Sequence, residues 1–431
     1  MKAAVPMRSA PADPPGFKRL NCLPEEALAD LLLQDVPELD VDSIKGTSAK
    51  LLAQAKSGQA PASVQTVLDL LPQRSDLGDL PFRKGPACQA DKKAASQLQA
   101  TSILLRSLLS RTPERARSNA NSSMGAVYFQ QALLSSSPRF GKALFNEHAI
   151  KDRTGTGPPP RVKEEAVPAL AQLLQAEDES LRLALVRLLS PGSERLTTKV
   201  LAQRALFDFS PEVREEAVQA LKERPLEDSR QFFLDGLRYP WFPVSQHAAE
   251  ALAALQDRQA VAGLLAMLDQ PDPAAPLQRE DKKWIVPELV RVNHLRNCLL
   301  CHSPSFAASD LVRAPVPKTD EPLPTAYYGK FDGAAIRADV TYLRQDFSVC
   351  QPVLNPGKWP AKQRYDYLVR KRVLSGAEAS RLNAANSGAH TFPQHPYPQR
   401  EAVLFALREL TGADLGPYSG VWKKWYAKKG T

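Results

Sequence analysis

The chain has 431 residues, a formal charge of +9 and 43 % apolar residues, enough for two or three domains or one elongated repeat array. No run of about 18 apolar residues occurs, which argues against a helical membrane span, and five cysteines are too few for a disulfide framework. The basic balance permits acidic partners, but the charges are scattered except for Lys423, Lys424, Lys428 and Lys429, which read as a solvated tail.

Prolines number 37 in 431, about 9 % against an ordinary ~5 %, which predicts many helix breaks and long connections. Residues 1–16 are Pro/Ala-rich and predicted to be disordered; they lack the continuous apolar region of a signal peptide. Residues 17–153 read as an irregular helical region. Pro24-Glu25-Glu26 suits a first turn, followed by the stripe Leu28, Leu31 and Leu32, with further helices over Ser63–Leu71 and Ala94–Leu109. Gly and Pro at 155–160 mark a loop without the G-K-[ST] ending of a phosphate-binding loop.

From Val162 a repeat emerges. Leu181-Arg182, Ala184-Leu185 and Leu188 recur as Val213-Arg214, Ala217-Val218 and Leu221, and again as Val244-Ser245, Ala248-Ala249 and Leu252. The offsets are 32 and 31 residues. Partner helices lie at Ala166–Leu174, Val200–Phe207, Gln231–Leu237 and Ala260–Leu268, with Asp178 and Ser210 placed as N-caps. Two helices per fixed period is the signature of an α-solenoid. Lone helical histidines, His148 and His247, read as structural. Arg182, Lys199, Arg204, Arg214 and Lys222 are interleaved with Glu179, Asp208, Glu212, Glu215 and Glu216, which argues against a phosphate-tracking stripe and makes nucleic acid an unlikely partner.

Cys298-Leu299-Leu300-Cys301-His302 is the C-x-x-C-H pattern of c-type haem attachment: two thiols add to the vinyl groups and the histidine becomes the proximal iron ligand. Trp284–Asn297, with Leu289, Val292 and Leu295, is predicted as a helix leading into it. No methionine follows the motif, so the candidate distal ligand is His390 or His395, or else the iron is five-coordinate. The same residues admit three other readings. Cys298 and Cys301 fit buried helix-end thiols. They fit a zinc site completed by two of His294, His302 and Cys350. They also fit a redox dithiol, though without βαβ context.

Residues 303–398 are broken by Pro304, Pro315, Pro317, Pro322, Pro324, Pro352, Pro356 and Pro360 and read as a loop-rich insertion. Ile336–Tyr342 alternates like a strand, and Lys362–Val373 is predicted as a helix. Tyr327 and Tyr328 are predicted to pack in the loop, and Trp241, Trp359, Trp422 and Trp425 at repeat ends. Arg400–Leu410 restores the repeat pattern, and residues 399–431 form a terminal capping helix and basic tail. Neither G-x-S-x-G nor H-E-x-x-H occurs, and no enzymatic activity is expected.

The repeat residues resemble HEAT repeats of the bacterial, phycobilisome-lyase-like type over about 162–270 and at the chain's end. The whole is similar to large bacterial proteins that combine HEAT repeats with a C-x-x-C-H site. The resemblance implies no lyase activity. The expected fold is all-α: a HEAT-like solenoid over 162–302 ending in C-x-x-C-H, with the Pro-rich insertion and the irregular N-terminal region. The expected function is a binding protein carrying one covalent haem on Cys298, Cys301 and His302, for electron transfer or ligand sensing in the periplasm or cell envelope. The alternative is a cofactor-free cytoplasmic scaffold that binds a protein on its concave helix surface.

Overall fold

A computed structural model describes residues 77, 79–83, 85–111, 122–134, 144–145, 161–305, 307–318, 321–323, 335–389 and 397–429. The expectations for residues 1–76, for the loop at 154–160, and for His148, Tyr327, Tyr328, His390 and His395 lie outside them. The chain divides into two compact units. A repeat unit includes Leu201–Pro273 and Ala384–Thr431; a sheet unit includes Leu33–Val200 and Ala274–Asn383.

The sheet unit opens with helices α1 (Lys92–Arg111), α2 (Ser122–Leu134), α3 (Val167–Leu174) and α4 (Glu179–Leu189). The division between units falls inside α5 (Arg195–Phe207). The repeat unit continues with α6 (Pro211–Lys222), α7 (Glu227–Leu237), α8 (Phe242–Leu255) and α9 (Val261–Met267). Helix α6 shows why these segments are helical. Ser210 accepts a hydrogen bond from Val213 N at 3.3 Å, Pro211 occupies the first turn with Glu212, and Lys222 lies in the last turn. Asp178 stands at the N-cap of α4 but makes no side-chain cap bond.

The periodic arginines explain the 32-residue repeat. Arg182 Nη1 donates to Glu177 O at 2.7 Å, and Arg214 Nη1 to Asp208 O and Phe209 O at 2.9 and 3.0 Å. Each guanidinium satisfies carbonyls of the turn before its own helix, buried at Asp208 and Phe209 and part-buried at Glu177. In the third copy Ser245 Oγ takes that place, 3.4 Å from Tyr239 O.

After α9 the chain leaves the repeats for strands β1 (Leu277–Gln278) and β2 (Trp284–Asn293), a four-residue helix α10 (Cys298–Cys301), and strands β3 (His302–Pro304), β4 (Arg313–Pro315), β5 (Ala335–Thr341), β6 (Phe347–Pro352) and β7 (Lys362–Leu374). Helix α11 (Gly376–Ala389) follows, then α12 (Pro398–Thr411) and α13 (Ser419–Lys429). Two antiparallel sheets result, ordered β1-β2-β7-β6 and β3-β5-β4. The fold is therefore not all-α, and helical repeats do not extend to residue 302.

Two predicted helices are the central strands. Trp284–Asn293 pairs with β7 over ten residues, from Trp284 opposite Leu374 to Asn293 opposite Tyr365. Its residues are buried on both faces, so period-2 alternation is lost and Leu289 and Val292 imitate a helical stripe. Lys362–Leu374 is the other, and its Tyr365, Asp366, Tyr367 and Leu368 are all buried. The predicted strand near 336 is β5.

Helix α12 returns to the repeat unit. It packs along α8 and α9, burying Ala402, Val403, Leu404, Ala406, Leu407 and Leu410, and leaves Pro243–Leu255 of α8 buried throughout. It thus serves as the second helix of the hairpin that α9 begins. The strands are inserted within one repeat rather than between repeats.

Candidate functional site

The C-x-x-C-H motif joins the two sheets. At the end of β2, Asn293 Oδ1 accepts from Leu295 N and Arg296 N at 3.0 and 3.1 Å and turns the chain out of the strand. One helical turn, α10, places Cys298 and Cys301 three residues apart on one face. Its end is fixed by Tyr342 N donating to Cys301 O at 2.7 Å. His302 is already extended (φ −127°, ψ 149°) and starts β3.

Both thiols are free and buried. Cys301 belongs to a core cluster with Val290, Val292, Leu300, Val340, Tyr342 and Leu368, where it packs as a small apolar group. Burial pushes the Cys298 thiol up to about 12 and raises Cys301 well above the ordinary range. Such thiols remain protonated and are poor nucleophiles, which disfavours a redox dithiol.

His302 is buried with Nδ1 3.0 Å from Val340 O. A carbonyl only accepts, so Nδ1 carries the proton and Nε2 the lone pair. Burial, then the neighbouring His294, push its pKa down to about 4, so the ring is neutral at pH 7. His294 meets His302 edge-on, centroids 5.9 Å apart. Its Nδ1 lies 2.8 Å from Asp366 Oδ2.

Asp366, on β7, organises the polar side of this junction. Its Oδ1 accepts from Ser348 Oγ at 2.5 Å and Arg364 Nε at 2.8 Å, while Arg364 Nη1 reaches Gln172 O on α3 at 3.0 Å. Burial alone would raise the Asp366 carboxyl, but Arg364, His294 and the hydrogen bonds from His294 and Ser348 hold it well below the usual carboxylate range. No motif in the sequence marks Asp366 as His294's partner or Ser348 and Arg364 as its supports; the pairing of β7 with β2 and with β6 brings them together.

The donor set suits iron at His302, whose Nδ1 bond leaves Nε2 available, as second-sphere carbonyls commonly do. The packing does not suit the macrocycle, because Cys301 packs within the apolar core and Cys298 is buried with its Sγ on the carbonyls of His294 and Leu295. Among the described residues no three His, Cys, Asp or Glu side chains converge to hold a metal ion, so a zinc cage from Cys298, Cys301, His294, His302 and Cys350 is not formed.

The tryptophans separate. Trp422 is buried and donates to Gly416 O at 2.8 Å, Trp359 donates to Lys318 O and Glu321 O, and Trp241 packs edge-on against Phe209. Trp425 is half-buried and lines an open cleft with Arg258, Val261, Leu410, Thr411, Tyr426 and Lys429. His247 is buried in α8 with Nδ1 2.7 Å from Leu206 O, a structural histidine.

Among known families, residues 198–277 match the model described as HEAT repeats. No curated protein and no solved structure matches the chain. The matched segment is of HEAT-repeat type, a class of module that typically mediates protein–protein contacts. No helix among the described residues is long and apolar enough to cross a membrane.

Proposed function

We propose that this HEAT-repeat protein is a scaffold that binds a protein partner through its repeat unit. The HEAT match over 198–277 carries the reading, supported by the regular helices α6 to α9 and the returning α12. Stacked helix pairs present an extended surface of fixed spacing, suited to recognition more than to chemistry. Because α8 is buried along its length, the inner surface offered to a partner is confined to exposed positions such as Glu212, Gln219 and Lys222 on α6 and to the end of the array. Cross-linking mass spectrometry on the full chain with its co-purifying proteins tests this. Cross-links from a partner to Lys222 or to the lysines of α13 are expected. Partner cross-links confined to Lys358, Lys362 and Lys371 of the sheet unit would overturn it.

A second reading, a haem attached to Cys298 and Cys301 with His302 as proximal ligand, rests on the C-x-x-C-H spacing and on the His302 tautomer. Attachment would have to precede closure of the core around Cys301. The test is visible haem that stays with the denatured polypeptide after production with a c-type maturation system. Colourless protein in which both motif thiols alkylate on unfolding ends this reading. Periplasmic or envelope placement goes with the haem, and a cytoplasmic one with the cofactor-free scaffold.

A further inference from the structure

The end of the repeat unit carries an open cleft of about 500 Å³. One wall is Arg258 and Val261, where α9 begins; a second is Leu410 and Thr411, the last turn of α12; the third is Trp425, Tyr426 and Lys429 of α13. The third wall is fixed in place. Trp422 of α13 is fully buried, pairs edge-on with Trp425 at 6.1 Å, and is hydrogen-bonded to Gly416; Lys423 is ion-paired with Asp269. Lys429 Nζ sits 4.6 Å over the Trp425 ring, where the ring's face holds the ammonium at the cleft mouth.

Helix α13 bears Lys423, Lys424, Lys428 and Lys429 and no acid. Nearby carboxylates are engaged: Asp269 by Lys423 and Asp414 by Arg408. Tyr418, Val421 and Tyr426 are nevertheless exposed along the same short segment. A solvated basic tail, the sequence expectation, explains the lysines. It does not explain three exposed large apolar residues and a half-buried tryptophan within nine positions, of which Trp425 and Tyr426 line the cleft.

We propose that this cleft is the docking site for an acidic segment of the partner protein, with an apolar side chain resting on Val261, Leu410 and Trp425 and carboxylates meeting Arg258 and Lys429. The proposal rests on the scaffold reading and locates its contact. Charge complementarity selects the occupant, since two cations, Arg258 and Lys429, line the cleft together with the apolar Val261, Leu410 and Trp425, and no carboxylate among the described residues lines it. A cleft of this size accepts a few side chains, whereas a nucleic-acid backbone needs a continuous cationic stripe, and α6 interleaves Glu212, Glu215 and Glu216 with its basic residues.

The experiment selects a random peptide display library on the intact full-length protein. It then measures the enriched peptides by fluorescence anisotropy against the wild type, Arg258→Glu/Lys429→Glu and Trp425→Ala, with circular dichroism confirming that each variant folds. Enriched peptides are expected to place Asp or Glu on both sides of Leu, Phe or Met. The double reversal is expected to weaken them about tenfold or more and to restore binding when peptide acids are replaced by lysine. Neutral or basic peptides, or affinities unchanged in both variants, overturn the cleft. If peptides still bind and cross-link to α6 or α7, the cleft falls while the scaffold reading stands. If nothing is enriched and no partner cross-links to the repeat unit, both fall.

Discussion

The arginines of the repeat unit and the polar residues at the end of β2 in the sheet unit reach their buried partners over different lengths of chain. In the repeats, Arg214 reaches carbonyls five and six residues away, Arg204 pairs with Asp208 one turn on, and Arg224 Nε donates to Ala220 O. In the sheet unit the buried partners are remote: Arg291 with Gln351, Asn293 with Gln363, and His294 with Asp366, separated by 60, 70 and 72 residues. A local network is complete within its own turn, so loss of one copy leaves the others intact. A remote network exists only when both strands are in register, so a single loss there removes the reason for the register.

Breaking that network gives the largest expected effect. Asp366→Asn leaves the Arg364 guanidinium, 15 % exposed, beside a neutral amide. Breaking a buried pair from one side costs about 3–5 kcal/mol. Hydrogen exchange read by mass spectrometry is expected to show lost protection in β2, β6, β7 and α3, and little change in α7 and α8. Equal loss in α7 and α8 would show that the two units are not separate in energy.

Acid tests the comparison next, because among the described residues each unit buries a histidine on a backbone carbonyl, His302 on Val340 O and His247 on Leu206 O. The folded His302 pKa is about 4, below its ordinary 6.5, so between those values the unfolded chain binds the extra proton. Stability of the sheet unit is therefore fully present above pH 6.5 and falls as pH drops towards 4, by about 3 kcal/mol across the window. His247 is shifted in the same direction, first by burial and then by Arg214, and sensitises the repeat unit with the same sign. Asp366 has the depressed carboxylate, so its contribution is lost only at still lower pH. His302→Asn is expected to flatten the slope of denaturant midpoint against pH for the sheet unit, and His247→Asn for the repeats. Either variant flattening both units would merge them.

Removing Arg214 is expected to cost less than removing Asp366. Arg214→Met keeps the apolar stem and strands Asp208 O and Phe209 O, for about 2–3 kcal/mol in urea unfolding. The third copy already works with Ser245, so the cost is confined to one turn.

The same difference in range explains what is legible in the sequence. Val213-Arg214, Ala217-Val218 and Leu221 carry a whole helix, its buried face and its loop contact within a dozen residues, and α12 is visible because it repeats that pattern. The strands are not. Val290 and Leu368 are each buried by residues about 80 positions away, and continuous burial erases the alternation that betrays a strand. The motif at 298–302 is readable as letters. Its setting is not, since Val340 and Asp366, which fix the two histidines, lie 38 and 72 residues away.

Two glycines give the smallest and most discriminating contrast. In the repeats, a Cβ on Gly236 of α7 would lie 2.7 Å from Leu206 Cδ2 and 3.1 Å from Ala248 Cβ, so this glycine sets how closely α5, α7 and α8 approach. Gly236→Ala gains helix propensity but forces one of those neighbours away, for a net loss of about 1–3 kcal/mol. In the sheet unit, a Cβ on Gly376 at the start of α11 would meet nothing within 4 Å, and its φ is not positive. Gly376→Ala only restricts the unfolded chain and is expected to stabilise by about 0.4–1 kcal/mol. Thermal unfolding of the two variants should therefore move in opposite directions. A stabilised Gly236→Ala would mean that Leu206 relaxes freely and that the repeats are packed more loosely than their buried α8 implies.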